Sequence, residues 1–352
     1  MAHLISTKHY IHQLTLTGVL KTWKKSDYEL INQARVYEDK TKSYWARLNY
    51  RIFPFNEFLY IWGLNSITIW NANKLRFEEN LDFPGILDDY VKQNRFRIRS
   101  LIVDNESVYA FSQGGKLIIL DRRLNRNVFS SLGSDFPVKV KMHKNDNPSN
   151  YSVSGVYDYK NVIFVSGGFD DFPPGGAEKD WIAFLSIFDK NQRKIIFTKE
   201  TRHARIKGLV ADDQYLYLLK FYEYGPGAYF GFLNLKCLEF VPTWHSFFDV
   251  FFFHIRIHEN KVYLASKKKI YIIKTQTLLR LCKEERRTDN GLNRPISEKK
   301  LTCIFELAIN DQSKDPTISD LVVDDQHILI ESDREQVWVL DPESHQVVCK
   351  LE

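Results

Sequence analysis

Cysteine and methionine are scarce in this sequence, and it holds no long apolar run. There are 4 Cys and 2 Met among 352 residues. Cys237, Cys282, Cys303 and Cys349 lie far apart and form no Cys-x-x-Cys pair, which argues against a zinc site and against a disulfide framework. No metal and no cofactor are therefore expected, and a reducing compartment fits better than a secretory one. Residues 1–14 show no apolar stretch followed by a small-residue cleavage site, so the cytosol, or the nucleus in a cell that has one, is the expected location. The longest apolar run, Phe247 to Phe253, is broken by Asp249 and falls far short of the ~20 residues that span a bilayer. Catalytic signatures are missing too: there is no Gly-x-Ser-x-Gly, no His-Glu-x-x-His and no Gly-x-x-x-x-Gly-Lys.

What is present is aromatic. Phe, Trp and Tyr make up 14% of the chain, a bias that favours pleated sheets. Hydrophobic residues at 44% and charged residues at 26% describe an ordinary globular protein rather than a disordered one. The net charge of +5 is mildly basic and below the excess of a dedicated nucleic-acid binder.

One pattern recurs through the whole length. A polar turn residue, often Asp or Asn, precedes a short apolar strand; a polar turn follows, then a second strand ending in Asp, Asn or Lys. The segment Asp104 to Leu132 shows it best, with strand Val108 to Phe111, turn Gln113-Gly114-Gly115 and return strand Lys116 to Leu120. Other copies begin near Lys8, Asn56, Lys160, Asp212, Glu259 and Asp324. The strand centres, Ile11, Tyr60, Tyr109, Phe164, Tyr217, Tyr263 and Ile328, recur about every 50 residues, a propeller-like period. Each copy also has an apolar stretch before the hairpin and a short strand after it, giving four strands per unit. No apolar run with a helical period of useful length is found, so a helical solenoid is set aside. The expectation is an all-β chain: a single domain, 1–352, folded as a seven-bladed β-propeller of four-stranded antiparallel blades. Both ends of the chain read as complete blades; the alternative is that the N-terminal segment completes the last blade.

Two stretches carry a family resemblance. The strand Ile67-Thr68-Ile69-Trp70-Asn71 resembles the end of a WD40 blade, where a Trp-Asp pair closes the third strand. The strand Val337-Trp338-Val339-Leu340-Asp341-Pro342 resembles the quinoprotein-like version of the unit. The Gly-His pair of WD40 repeats and a Trp-Asp pair are both missing, so the resemblance implies a divergent propeller. It implies no cofactor.

Candidate binding residues follow from the alternation of cations in or just before the first strand of several units: Arg51, Arg97, Arg99, Arg205, Lys207 and Arg256. In the runs RFRIR and HARIK alternation places cations on one strand face. In a propeller the first strands line the channel, so these guanidinium groups suit a carboxylate or phosphate there. The seventh unit departs, with Ser319 and Asp320 at that place. Two loops add recognition candidates: Phe169, Asp170, Asp171, Phe172 and Trp181 around a Pro-Pro-Gly-Gly turn, and Tyr222, Tyr224 and Tyr229 around Gly225-Pro226-Gly227. A polar insertion, residues 283–300, reads as a solvated loop.

The expected function is a non-enzymatic interaction scaffold or adaptor, binding an acidic or phosphorylated protein partner, with no membrane insertion. Nucleic-acid binding through the same cations is the first alternative. A propeller hydrolase or lyase is the second.

Overall fold

A computed structural model describes residues 3–36, 51–63, 66–82, 98–112, 117–122, 126–130, 151–169, 182–202, 205–221, 227–241, 247–284, 295–308 and 316–351. The fold is a β-propeller of seven four-stranded antiparallel blades, each built from strands consecutive in sequence. The chain divides into two compact units, Met1–Val156 with Phe169–Phe172, and Tyr157–Gly168 with Pro173–Glu352.

The first unit holds three sheets. Sheet one comprises β1 (His3–Ser6), β2 (Tyr10–Leu14), β3 (Val19–Lys24) and β4 (Leu30–Arg35). Sheet two comprises β5 (Arg51–Phe55), β6 (Phe58–Trp62), β7 (Ser66–Asn71) and β8 (Arg76–Asp82). Sheet three comprises β9 (Ile98–Val103), β10 (Ser107–Ser112), β11 (Leu117–Asp121) and β12 (Arg126–Ser130). First strands lie beside one another, β1 with β5 and β5 with β9. In sheet one a turn at Thr17-Gly18 joins β2 to β3, and Gly18 takes a left-handed φ of 77° that a side chain would resist.

Sheet four comprises β13 (Tyr151–Tyr159), β14 (Val162–Phe169), β15 (Ile182–Asp189) and β16 (Lys194–Arg202), with the boundary between the units inside β13. The second unit continues with sheet five: β17 (Arg205–Ala211), β18 (Tyr215–Phe221), β19 (Ala228–Asn234) and β20 (Glu239–Val241), plus a short fifth strand, β21 (Phe247–Phe248), paired with β19. Sheet six comprises β22 (His254–His258), β23 (Lys261–Ala265), β24 (Lys269–Lys274) and β25 (Thr302–Glu306). Sheet seven comprises β26 (Ile318–Val323), β27 (Ile328–Ser332), β28 (Val337–Leu340) and β29 (Val347–Leu351). Strand β22 packs between β17 and β26. A Cβ on Gly208 would sit 2.6 Å from Ile255 Cγ2, so glycine permits this close approach of β17 and β22.

The seven strand centres read from the sequence all fall in the second strand of a sheet, and none is more than 4% exposed. The recurring Asp and Asn have a structural job. At the first hairpin of sheets three, five and seven, Oδ1 of Asp104, Asp212 and Asp324 each accepts two backbone N–H groups at 2.7–3.0 Å. At the third-strand ends, Asn71 and Asp341 each accept two backbone N–H groups from the following turn, and Asp189 and Asn234 accept one each. Such side-chain turns satisfy backbone donors that would otherwise be left without a partner at a hairpin end.

One expectation is corrected. The stretch after β24 forms a helix, α1 (Thr275–Lys283), not a fourth strand. Its buried residues Thr275, Leu278, Leu281 and Cys282 recur at helical spacing, and the last three pack into the core with Phe248, Phe252 and Ile296. Arg280 and Lys283 in its last turn suit the negative end of the helix. The sheet's fourth strand arrives only at β25. In the same core, the rings of Phe230, Phe248, Phe252 and Tyr271 meet edge to face at centroid distances of 5.6–5.8 Å. This resolves the Phe247–Phe253 run: Phe248 and Phe252 are buried, whereas Asp249 is exposed and accepts the Glu298 N–H at 2.9 Å.

Candidate functional site between sheets four, five and six

The cations expected to line the first strands fall as follows. Arg51 opens β5 and Arg99 lies in β9, both half-buried. Arg205 opens β17 and Lys207 stands at a register shift in the same strand. Arg256 lies in β22, where its Nη1 donates to the Ile255 carbonyl at 2.9 Å and its Nη2 meets Asp320 Oδ1 at 3.3 Å. Asp320 is buried in β26 and also accepts the Leu321 N–H at 2.8 Å. The acid that breaks the cation pattern in sheet seven is thus the partner of the cation in sheet six. Beside them, burial holds His254 down to about 4; Arg256 adds to the depression and Asp320 opposes it. His258 Nε2 lies 3.4 Å from Asp325 Oδ1.

Of the loop candidates, Phe169 ends β14, and Tyr229 is half-buried in β19, opposite Phe247 of β21. Arg97, Asp170, Asp171, Phe172, Trp181, Tyr222 and Tyr224 lie outside the described residues. Among the described residues no three His, Cys, Asp or Glu side chains come together as metal ligands would, and no helix is long and apolar enough to cross a membrane.

One concavity among the described residues was not singled out by sequence reading. Within the second unit, an open cleft of about 720 Å³ lies where the first strands of sheets four, five and six reach their hairpin turns. Tyr157 and Tyr159 come from β13, and Ala211 to Tyr215 with Tyr217 from around the β17–β18 turn. Sheet six adds Ile257, Glu259, Asn260 and the start of α1. The lining includes the carboxylates of Asp212, Asp213 and Glu259 but no Lys, Arg or His.

Hydrogen bonds between sheets fix these side chains. Tyr157 donates its hydroxyl to the Ala211 carbonyl at 3.3 Å, and Tyr159 donates to Asp213 Oδ1 at 3.0 Å. Tyr217 donates to Asp212 Oδ2 at 2.6 Å. Burial and that neighbouring carboxylate push the Tyr217 hydroxyl well above the usual phenol range. Lys160, on the rim, places its Nζ 3.3 Å from Asp213 Oδ1 and 4.7 Å from the centroid of the Tyr159 ring. The Tyr159 hydroxyl and the Lys160 ammonium hold the Asp213 carboxyl below its ordinary value. The result is a set of rings and carboxylates arranged to receive positive charge.

The chain matches no family model, and no curated protein matches it. Solved structures do resemble it. The WD40 domain of Pan2 from Neurospora crassa superposes with a TM-score of 0.61 at 9% identity, over 96% of this chain and 88% of that one. The computationally designed Ika8 protein gives 0.57 at 10% identity, over 99% and 85%. BamB from Moraxella catarrhalis gives 0.50 at 10% identity, over 99% and 86%. The likeness is one of fold. At such identities it carries the propeller architecture, and function has to be argued from this propeller's own residues.

Proposed function

We propose that this propeller is a non-enzymatic interaction scaffold, an adaptor or subunit of a larger assembly, that holds an acidic or phosphorylated segment of a protein partner along its first strands. The observation that supports this reading is the recurrence of arginine on first strands: Arg51 and Arg99 on the neighbouring β5 and β9 within the first unit and, separately, Arg256 on β22 within the second. Arg256 keeps 39% of its side chain exposed although it meets Asp320. An anion approaching it can therefore share the guanidinium's remaining donors. Within the first unit, adjacent strands β5 and β9 present Arg51 and Arg99 from paired sheets, which lowers the ordering cost of binding there.

The test is titration of a labelled phosphoserine peptide and an aspartate-rich peptide into the full chain and into the triple variant Arg51→Gln, Arg99→Gln, Arg256→Gln. Binding weakened at least ~10-fold by the variant is the expected result, since charge-assisted bonds of this kind contribute about 1.4 kcal/mol or more. Equal affinity for both proteins would overturn the site. Binding of an oligonucleotide with a steep salt dependence, and of neither peptide, would replace this reading with nucleic-acid recognition.

A further inference from the structure

We infer that Lys220 is a covalent modification site: its amine, held in an apolar slot between sheets four and five, takes an acyl group from a small thioester. The site is independent of the first-strand arginines. Strand β18 reads Tyr-Leu-Tyr-Leu-Leu-Lys-Phe. Alternation puts Leu216, Leu218 and Lys220 on one face of it. The two leucines are buried there, in a core shared with Phe164, Leu185 and Ile187 of sheet four. A lysine thus continues an apolar row into the junction between the sheets.

The slot exists because a side chain is missing. A Cβ on Gly231, in the neighbouring β19, would lie 2.7 Å from Lys220 Cε and 2.9 Å from its Nζ. The same point is 3.4 Å from Leu218 Cδ1. The lysine therefore lies across the bare backbone of Gly231, and its Nζ lies 5.7 Å from the Phe240 ring centroid. Among the described residues the amine has neither an ion pair nor a hydrogen bond. Other lysines of this unit are placed differently: Lys190 meets Asp158 at 2.9 Å, Lys160 meets Asp213 at 3.3 Å and Lys269 meets Glu306 at 3.6 Å. Burial pushes the Lys220 ammonium below the usual lysine range, with no neighbouring charge acting against it. The residue is half-buried rather than enclosed, so a small reagent can reach it.

These surroundings turn a lysine from a counter-charge into a nucleophile, since only the uncharged amine has a lone pair to attack with. With a thioester, the C–N bond forms at the carbonyl carbon and the C–S bond breaks. The sulfur leaves as a thiol, carrying the proton that nitrogen sheds. The product is a neutral amide, so the slot beside Leu218 and Phe240 no longer holds a poorly solvated charge. An aldehyde is a poorer match, because its imine regains a positive charge on protonation.

The experiment treats the full chain with the isotope-labelled acetyl thioester of N-acetylcysteamine and reads acetylation at each lysine by mass spectrometry. Lys194 and Lys199, exposed on β16, are references within the same molecule. At about pH 7 Lys220 is expected to acetylate about tenfold faster than either, and its rate should climb less steeply than theirs up to about pH 9. Gly231→Ala, whose methyl takes the place of the amine, should bring the Lys220 rate down to that of the references. Phe240→Glu should do the same by giving the ammonium a carboxylate partner. Acetylation of Lys220 no faster than that of Lys194 and Lys199 in the parent overturns the proposal without recourse to any variant. A fast rate that survives both substitutions overturns it equally, because the slot would then not be its cause. Should Gly231→Ala fail to fold, the parent comparison and Phe240→Glu decide between the same outcomes.

Discussion

Two junctions between consecutive propeller sheets, one in each unit, are built on the same plan and finished differently. In the first unit Arg122 reaches from the end of β11 to the aromatic rings of sheet two and to the capped turn of sheet three. In the second unit Leu235 holds that place, its N–H bonded to the Gln214 carbonyl as that of Arg122 is to Glu106, and tyrosines and carboxylates line an open cleft. The difference shows how one repeat position serves two ends: Arg122 bonds to the neighbouring sheet, whereas Leu235 packs in the apolar core with Tyr159 and Phe164.

The comparison can be broken most severely at its closed member. Arg122→Ala should cost about 2–3 kcal/mol, because it strips three hydrogen bonds and a ring contact from a partly buried junction; urea unfolding at constant slope would measure it. Acid gives the next effect and touches both units. Burial holds His12 down to about 3 and His254 to about 4, so between pH 6.5 and those values the unfolded chain takes up protons that the folded chain refuses. Stability is full above pH 6.5 and should fall as pH drops, by up to about 1.4 kcal/mol per pH unit for each histidine. His12→Gln should flatten that slope in chemical denaturation at stepped pH. Tyr217→Phe comes third: losing the hydroxyl bond to Asp212 should cost about 1–2 kcal/mol, seen as a lower urea midpoint. Lys160→Ala is the smallest, with no resolvable shift of the urea midpoint, because its ion pair is solvated; a loss comparable to that of Arg122→Ala would erase the asymmetry between the junctions.

Much of the fold was legible because a propeller blade is a local object. The strand centres from Ile11 to Ile328, the hairpin Asp and Asn residues and the four-strand count all rest on residues within one period, where alternation and turn chemistry speak directly. The helix α1 was missed because Thr275 to Lys283 is short, leucine-rich and sits where the repeat expects a strand. Such runs do not separate helix from strand by period alone. The site was less legible because its parts come from different blades. Tyr159 and Asp213 are 54 residues apart, and Arg256 and Asp320 are 64 apart. Sequence reading found the cation at Arg256 and the acid at Asp320 but could not tell that each answers the other. It passed over Arg122 and Leu235 because only the paired hairpins reveal that they occupy one equivalent position. The Asp212-Asp213 pair looked like turn chemistry, which Asp212 indeed performs. Asp213, one residue on, faces the cleft.

The most direct measurement is urea unfolding of the Leu235→Arg variant. The account predicts a midpoint below the parent's, because the introduced guanidinium enters an apolar core where Phe164 stands in place of the Tyr60 hydroxyl that receives Arg122. A midpoint equal to or above the parent's would contradict it.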